Sequence, residues 1–331
     1  MKPELLTQFT DAIVREAAAR FGLDHNSAQS PDGFENYVCE CMRDGKPHIL
    51  RITHSTHRLK GAIEAELDWI DYLVSHGVSV CQPLRSRQDR LVETIESDHA
   101  GFSAVVFEKA AGQMVRRNDQ TPAMTVNRGW LLGRMHALTK DFKPCNEQIK
   151  RHQWYDDDDF AHYQRYLDPA DHIVMQRLND LIADLRALPA NRDSYGLIHC
   201  DAHTGNMFFD GDKPTLFDFD DCVYDFYVSD IAIAMFYAIL FLPDELDQKD
   251  YGRQFLRDMF GGYREENALD ARWLEIIPMI LKRREIILYV AIHRGMDMNN
   301  LDEWCTRYMD GRKERIENNV PVLDIDYSEF A

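Results

Sequence analysis

Positive charge is scarce in this 331-residue sequence: 38 lysines and arginines stand against 56 aspartates and glutamates, for a formal net charge of −18. Such a surface repels phosphate backbones and anionic headgroups, which argues against nucleic acid or an anionic membrane as the main partner. It suits a cationic or neutral substrate, and it equally suits the plain acidity common among cytosolic proteins. Long apolar runs are missing too. Residues 231–242 are apolar but too short to span a bilayer, and 276–292 are interrupted by Pro278, Lys282, Arg283, Arg284 and Glu285, so both read as buried helices. The first 21 residues mix acids into their apolar positions and lack the continuous core of a secretory signal. Cysteines number only seven, an odd and scattered set that reads as reduced thiols and places the protein in the cytoplasm. No internal repeat or low-complexity tract is present.

With 45% hydrophobic and 28% charged residues, the chain is globular and long enough for two lobes, each with its own core. Its chemistry concentrates in one place. Leu197-Ile-His-Cys-Asp-Ala-His-Thr-Gly-Asn-Met-Phe-Phe209 is followed by Thr215-Leu-Phe-Asp-Phe-Asp-Asp221. Each half begins with strand-forming apolar residues and then packs acids, an amide and imidazoles into a connection that Gly205 and Gly211 allow to turn. Phosphoryl transfer fits that set. It needs a carboxylate to orient an acceptor hydroxyl and take its proton, a part for Asp201, and hard oxygen ligands for Mg2+, a part for Asn206 and Asp218. The plain reading of Asp201 is a loop acid capping backbone amides.

The pattern His199-x-Asp201-x-x-x-x-Asn206, with a strand ending in Asp218-Phe219-Asp220, resembles the catalytic and metal loops of the aminoglycoside phosphotransferase and choline kinase family. Two spaced elements agree in order and separation. The resemblance implies an α+β, bilobal protein-kinase-like fold: a nucleotide-binding lobe over residues 1–109 with a small antiparallel sheet, and a mostly helical catalytic and substrate-binding lobe over 110–331. Ser229-Asp230-Ile231-Ala232 is similar to the segment whose acid anchors the family's catalytic loop. Ile49-Leu50-Arg51-Ile52 resembles the strand with the basic phosphate-binding residue, although arginine stands where lysine is usual. Its expected acidic partner is Glu66 on a helix over 59–76, with Glu64 as competitor; the apolar stripe Ile63, Leu67, Ile70 and Leu73 favours Glu66. Phe107-Glu108-Lys109-Ala110-Ala111-Gly112 resembles the hinge between lobes, where backbone groups of Glu108 and Ala110 would bind adenine.

In the same frame His199 and His203 support the catalytic loop, Asp220 holds either a second metal or a nearby basic group, and Asp221 and Asp225 are loop acids near the metal. Residues 27–36 would cover the nucleotide phosphates, although they are not glycine-rich; an ordinary hairpin lead-in is the alternative. Asp44-Gly45-Lys46-Pro47 reads as the following turn. His136, on a helix from about 125, reads as structural. Asp156 to Asp159 form either a solvated helix start or an ammonium-binding group. Beyond Asp230 the sequence reads as helices over 227–242, 247–263, 269–292 and 301–318. Trp273, Tyr289, His293, Asp297, Asp302, Glu303 and Trp304 are candidates for the acceptor-pocket wall.

The expected activity is ATP- and Mg2+-dependent phosphorylation of a hydroxyl on a small, amine-bearing molecule such as an aminoglycoside, amino alcohol or homoserine-like compound. A serine/threonine protein kinase of the same family is the alternative, weakened because no Ala-Pro-Glu segment follows Asp218. A metallohydrolase using His199, Asp201, His203, Asp218 and Asp220 would leave Asn206, Arg51 and Asp230 without a task, and a nucleotide-binding scaffold would not need the complete set. The expected partner is a small-molecule substrate, with neither nucleic acid nor membrane, and no residue pattern sets an oligomeric state.

Overall fold

Asp44 and Gly45 turn strand β1 (Tyr37–Arg43) into β2 (Lys46–His54), with φ of 50° and 75° at the two positions. Both residues of a two-residue hairpin turn adopt positive φ because that twist matches the strands, and Asp-Gly tolerates it best. The computed structural model that holds this hairpin describes residues 9–25, 36–96 and 101–331. Most of the expected phosphate-covering segment therefore lies outside the described residues, as do the side chains of Asp158 and Asp159.

Two compact units emerge. The first comprises residues 1–113, 142–151 and 215–220, and the second 114–141, 152–214 and 221–331. In the first, the strands of a five-stranded sheet pair antiparallel in the order β1, β2, β5 (Gly101–Glu108) and β3 (Pro83–Leu84), with β4 (Glu93–Glu96) also on β5. Period-2 alternation sorts β2. Leu50 and Ile52 join a core with Phe102, Ala104 and Val106 and with Ile13, Ala17 and Phe21 of α1 (Asp11–Phe21), while Arg51 leaves by the opposite face. Gly22, at φ 71°, ends α1 with its amide bonded to the carbonyls of Ala18 and Ala19. Helix α2 (Lys60–Ser75) buries Ile63, Leu67, Ile70 and Leu73, the expected stripe, together with Glu66.

The second unit is mostly helical, so the fold is α+β as expected. Helix α3 (Pro122–Thr139) starts on a Thr121 cap that accepts from Met124 N. Strand β6 (Tyr195–Ile198) pairs with β9 (Val223–Phe226), and β7 (Met207–Asp210) turns at Gly211 into β8 (Lys213–Leu216), with which the chain passes back into the first unit. Helices α4 (His172–Arg186), α5 (Val228–Ile239), α6 (Gln248–Glu266), α7 (Ile277–Gly295), α8 (Glu303–Met309) and α9 (Arg312–Glu317) supply the rest. Two helix expectations change. The expected 269–292 helix begins later, at Ile277, with Pro278 in the first turn of α7, where a missing N–H costs nothing. A 3-10 turn, Ala271–Ile276, precedes it. Gly311, at φ 62°, divides the expected 301–318 helix into α8 and α9. No helix among the described residues is long and apolar enough to cross a membrane.

Helices α3 and α6 approach so closely that side chains are excluded from their contact. A Cβ added at Gly129 would sit 2.0 Å from the Met259 carbonyl oxygen, and one at Gly262 would sit 1.8 Å from that of Val126. Backbone cannot swing aside as a side-chain tip can. We expect Gly262→Ala to destabilise the protein by at least about 2 kcal/mol, read from the urea midpoint, whereas Gly261→Ala, which meets nothing within 4 Å, should leave the midpoint unchanged or slightly raised.

Candidate active site

In the first unit, Arg51 on β2 meets Glu66 on α2 in a planar two-pronged pair. Nη1 donates to Oε1 and Nη2 to Oε2, each at 2.8 Å, with both side chains buried. Glu64, the competitor, lies on the exposed side opposite Lys60. Burial opposes the Arg51 charge, but Glu66 outweighs it, with help from Asp220 and Asp218, and holds the guanidinium firmly protonated. The segment that carries those two acids is pinned by its middle residue, since Phe219 packs edge-on against Trp69 of α2 at 5.3 Å. Asp218 adopts φ 64°, a left-handed conformation that a non-glycine residue holds only when its surroundings enforce it. Asp220 Oδ2 lies 2.6 Å from His57 Nε2 and 3.8 Å from Arg58 Nε. Burial raises its pKa, and Arg58, His57 and Arg51 more than reverse that, so it stays ionised. Glu108 ends β5 with its amide on the Gln82 carbonyl, and the Ala110 amide is within hydrogen-bond reach of the Cys81 thiol.

In the second unit the loop after β6 carries the other candidates. Asp230, near the start of α5 and fully buried, accepts from the backbone amides of His199 (3.0 Å) and Cys200 (2.7 Å) and bonds His136 Nε2 (3.0 Å). Cys200, at φ 67°, bends the loop at that anchor. His199 Nδ1 accepts from the Asp201 amide at 3.2 Å, and His203 Nδ1 accepts from the Gly205 amide at 2.8 Å. An acceptor nitrogen bears no proton, so His203 carries its hydrogen on Nε2, which lies 3.3 Å from Asp201 Oδ2. The same reasoning orders the anchor. Asn267 Nδ2 donates to the Tyr263 hydroxyl (2.8 Å), which donates to His136 Nδ1 (2.9 Å), leaving His136 Nε2–H for Asp230.

Asp201 is gripped on both oxygens. Asn206 Nδ2 donates to its Oδ2 at 2.9 Å and to its backbone carbonyl at 3.0 Å, while Arg284 of α7 donates to Oδ1. Burial raises the Asp201 pKa, but His203 and Arg284 outweigh that and hold the carboxyl well below the usual carboxylate range. Arg284 also donates to the Tyr237 hydroxyl, 2.6 Å away. Burial pushes that phenol up to about 12, so it stays protonated. With its nitrogen committed to Asp201, Asn206 turns its amide oxygen away as a hard ligand, which fits a divalent cation. Among the described residues no group of three His, Cys, Asp or Glu side chains is arranged to hold a metal.

Several sequence expectations are corrected here. Asp225 is a strand residue of β9, buried and ion-paired with Arg283 of α7, not a loop acid. Arg283 in turn lies over the Trp154 ring at 4.5 Å. Trp273 packs against Phe226 in the core, the Tyr289 hydroxyl bonds Asp171, and Asp302 caps α8 through the Cys305 amide, so these three are occupied by structure. Asp157 pairs with His152. The sequence reading missed Tyr237, Tyr263, Asn267 and Arg284. Only the run 282–285 hinted at Arg284, as a charged interruption of an apolar helix.

Because Arg51 is buried with Glu66 as its direct ionic partner, removing the acid strands a charge. Glu66→Ala should cost about 3–5 kcal/mol in urea unfolding, and adding Arg51→Met to that variant should recover part of the loss, since an apolar pair replaces an orphaned cation.

Residues 28–269 match the family model described as phosphotransferase enzyme family. The chain is 37% identical over 322 residues to amicoumacin kinase of Bacillus subtilis, covering 96% of this chain and 95% of that one. It is 27% identical over 218 residues to homoserine kinase of Rhodopseudomonas palustris, covering 65% and 63%. Among solved structures, amicoumacin kinase hAmiN in complex with AMP-PNP, Ca2+ and Ami superposes with a TM-score of 0.94 at 30% identity, covering 100% of both chains. The microcompartment-associated aminopropanol kinase shares the fold, with a TM-score of 0.75 at 20% identity over 94% of this chain and 98% of that one. The chain belongs to the phosphotransferase enzyme family and is a kinase with the protein-kinase-like fold of the aminoglycoside phosphotransferases.

Proposed function

We propose that this kinase transfers the γ-phosphoryl group of ATP, with Mg2+, to a hydroxyl of a small amine-bearing molecule, and that an antibiotic of the amicoumacin type is the first acceptor to test. The observation that carries the reading is the Asp201 carboxylate, ionised and held on both oxygens by Asn206, His203 and Arg284 in a loop anchored on Asp230. The likeness to amicoumacin kinase over nearly the whole chain supports the acceptor class, and the homoserine kinase relatives support an amino alcohol as the simpler case. All seven cysteines are free thiols, which fits the cytoplasm.

In this reading Asp201 accepts a hydrogen bond from the acceptor hydroxyl and aims its oxygen at the γ-phosphorus. Bond formation to phosphorus makes the hydroxyl strongly acidic, the proton passes to Asp201, and ADP leaves. A carboxylate held so far below its ordinary range is a weak base, so its work is orientation until late in the transfer. Asn206 Oδ1 and the Asp218 carboxylate would hold the magnesium ion, which when bound neutralises phosphate charge. Arg51, fixed by Glu66, would face the nucleotide phosphates, and backbone groups of Glu108 and Ala110 would bind adenine.

Asp201→Ala should lower kcat for magnesium-dependent ADP formation by at least about 100-fold, measured with amicoumacin, amino alcohols, homoserine and aminoglycosides as acceptors, while nucleotide affinity stays within a few-fold of wild type. Asp218→Ala should instead weaken nucleotide binding in the presence of magnesium. Wild-type turnover in the Asp201 variant would end this assignment.

A second expectation concerns pH. Arg284 favours the ionised form of Asp201, so removing it raises that pKa. In Arg284→Met the acidic limb of the kcat/KM profile should move to higher pH by roughly 1–3 units, with the alkaline limb in place.

A further inference from the structure

The turn that joins β2 to α2 carries a histidine and an arginine that the proposed reaction leaves without a task. Hydrogen bonds close its frame. The His54 carbonyl accepts from the amides of His57 (2.9 Å) and Arg58 (3.3 Å), His54 Nδ1 accepts from the Thr56 amide (3.1 Å), and the Ser55 amide donates to the Gly101 carbonyl (3.0 Å). Held in this way, the turn presents His57 and Arg58 to Asp220, the former across 163 positions of sequence. Asp220 is ionised and can only accept, so the His57 ring carries a hydrogen on Nε2, 2.6 Å from Oδ2. Arg151 grips the same residue by its backbone: Nη2 donates to the Asp220 carbonyl at 2.6 Å, and Nη1 donates to the carbonyl of Ala62 on α2 at 3.2 Å. Asp220 itself is buried, with Oδ1 enclosed by protein and Oδ2 occupied, so neither oxygen is open to a second cation.

What this grip controls lies two residues away. Asp218 holds a left-handed conformation, φ 64°, which a residue with a side chain keeps only under constraint. Both residues that follow supply the constraint: Phe219 is wedged against Trp69 of α2, and Asp220 is fixed by side chain and backbone together. We propose that His57 is a positioning residue for Asp218: by holding the Asp220 carboxylate it fixes the backbone from which Asp218 meets a divalent cation, and Asp220 is the anchor of that segment rather than the ligand of a second metal ion. This role rests on the reading of Asp218 as a magnesium ligand. A turn that only tied the sheet to the 218–220 segment would add stability and nothing else. A positioning turn changes how much magnesium the bound nucleotide requires, because groups that orient a metal ligand act on metal affinity itself.

The test uses the full chain with saturating AMP-PNP and reads the Mg2+ concentration that gives half of the thermal stabilisation, with AMP-PNP affinity in EDTA measured by calorimetry on the same samples. His57→Ala should raise that Mg2+ concentration by at least about tenfold and leave the affinity in EDTA largely unchanged. His57→Gln, whose side-chain amide can bring an N–H to the place of the ring Nε2–H, should recover most of the loss, and His57→Phe, which fills the space without a donor, should not. If His57→Ala fails to fold, the comparison of His57→Gln with His57→Phe decides. An unchanged magnesium requirement, an equal loss with and without magnesium, or His57→Phe matching His57→Gln would overturn the role of His57. Asp218→Ala, measured alongside, keeps the two readings apart. If it abolishes the magnesium response while His57→Ala leaves that response intact, only the role of His57 falls; if Asp218→Ala itself leaves the response intact, Asp218 is no ligand and both fall.

Discussion

A single buried carboxylate sets the shape of the loop that presents Asp201. Asp230 takes two consecutive backbone amides, those of His199 and Cys200, and a ring N–H from His136. Neighbouring amides seldom point the same way, and here they do so because Cys200 takes a positive φ. That conformation costs about 1–3 kcal/mol for a residue with a side chain, and two charge-assisted hydrogen bonds in a dry interior offset it. The loop therefore keeps this conformation while Asp230 is present.

The position of Asp230 is itself prepared at a distance. His136 and Tyr263 belong to α3 and α6, and their rings and hydroxyl meet because Gly129, Gly133 and Gly262 let the two backbones touch. Close helix approach thus fixes a chain of hydrogen bonds running from Asn267 to Tyr263, His136 and Asp230, each with a determined donor. An apolar helix contact and a polar network are two parts of one arrangement. Loosening the first lengthens the second, and the loop that presents Asp201 would lose its template. The proposed base inherits its geometry from glycines that make no contact with it.

What the sequence made legible follows the range of the interactions. The Asp44-Gly45 hairpin, the β2 alternation that separates Arg51 from Leu50 and Ile52, and the stripe on α2 are local, and periodicity and turn chemistry disclose them. The same stripe distinguished Glu66 from Glu64, because two residues along a helix is about half a turn and carries a side chain to another face. The family resemblance and the kinase class were legible for a further reason: the loop residues that define them lie within short segments. Partners contributed by remote helices were not. Arg284 reaches Asp201 across 83 positions and Arg283 reaches Asp225 across 58, and no local pattern encodes those encounters. The start of the expected 269–292 helix was placed too early because Pro278, a residue that favours the first turn of a helix, was not used as a start signal. Trp273 and Tyr289 were candidates for a pocket wall because aromatics line pockets, but they fill cores more often.

The departure at Arg51 also has a physical logic. A lysine ammonium beside a buried carboxylate makes a point contact and leaves its direction free. The guanidinium instead binds both oxygens of Glu66 at 2.8 Å through two different nitrogens, so strand and helix are fixed in two dimensions rather than one. Each terminal nitrogen bears two hydrogens, and the pair with Glu66 uses one from each. The remaining hydrogens, with the positive charge that Asp218 and Asp220 also help sustain, leave the side chain able to donate to phosphate oxygens without releasing its partner. In the proposed reading, arginine at this position would not have to exchange its contact with Glu66 for one with phosphate, and the rigidity of the pair would define where a nucleotide phosphate can sit.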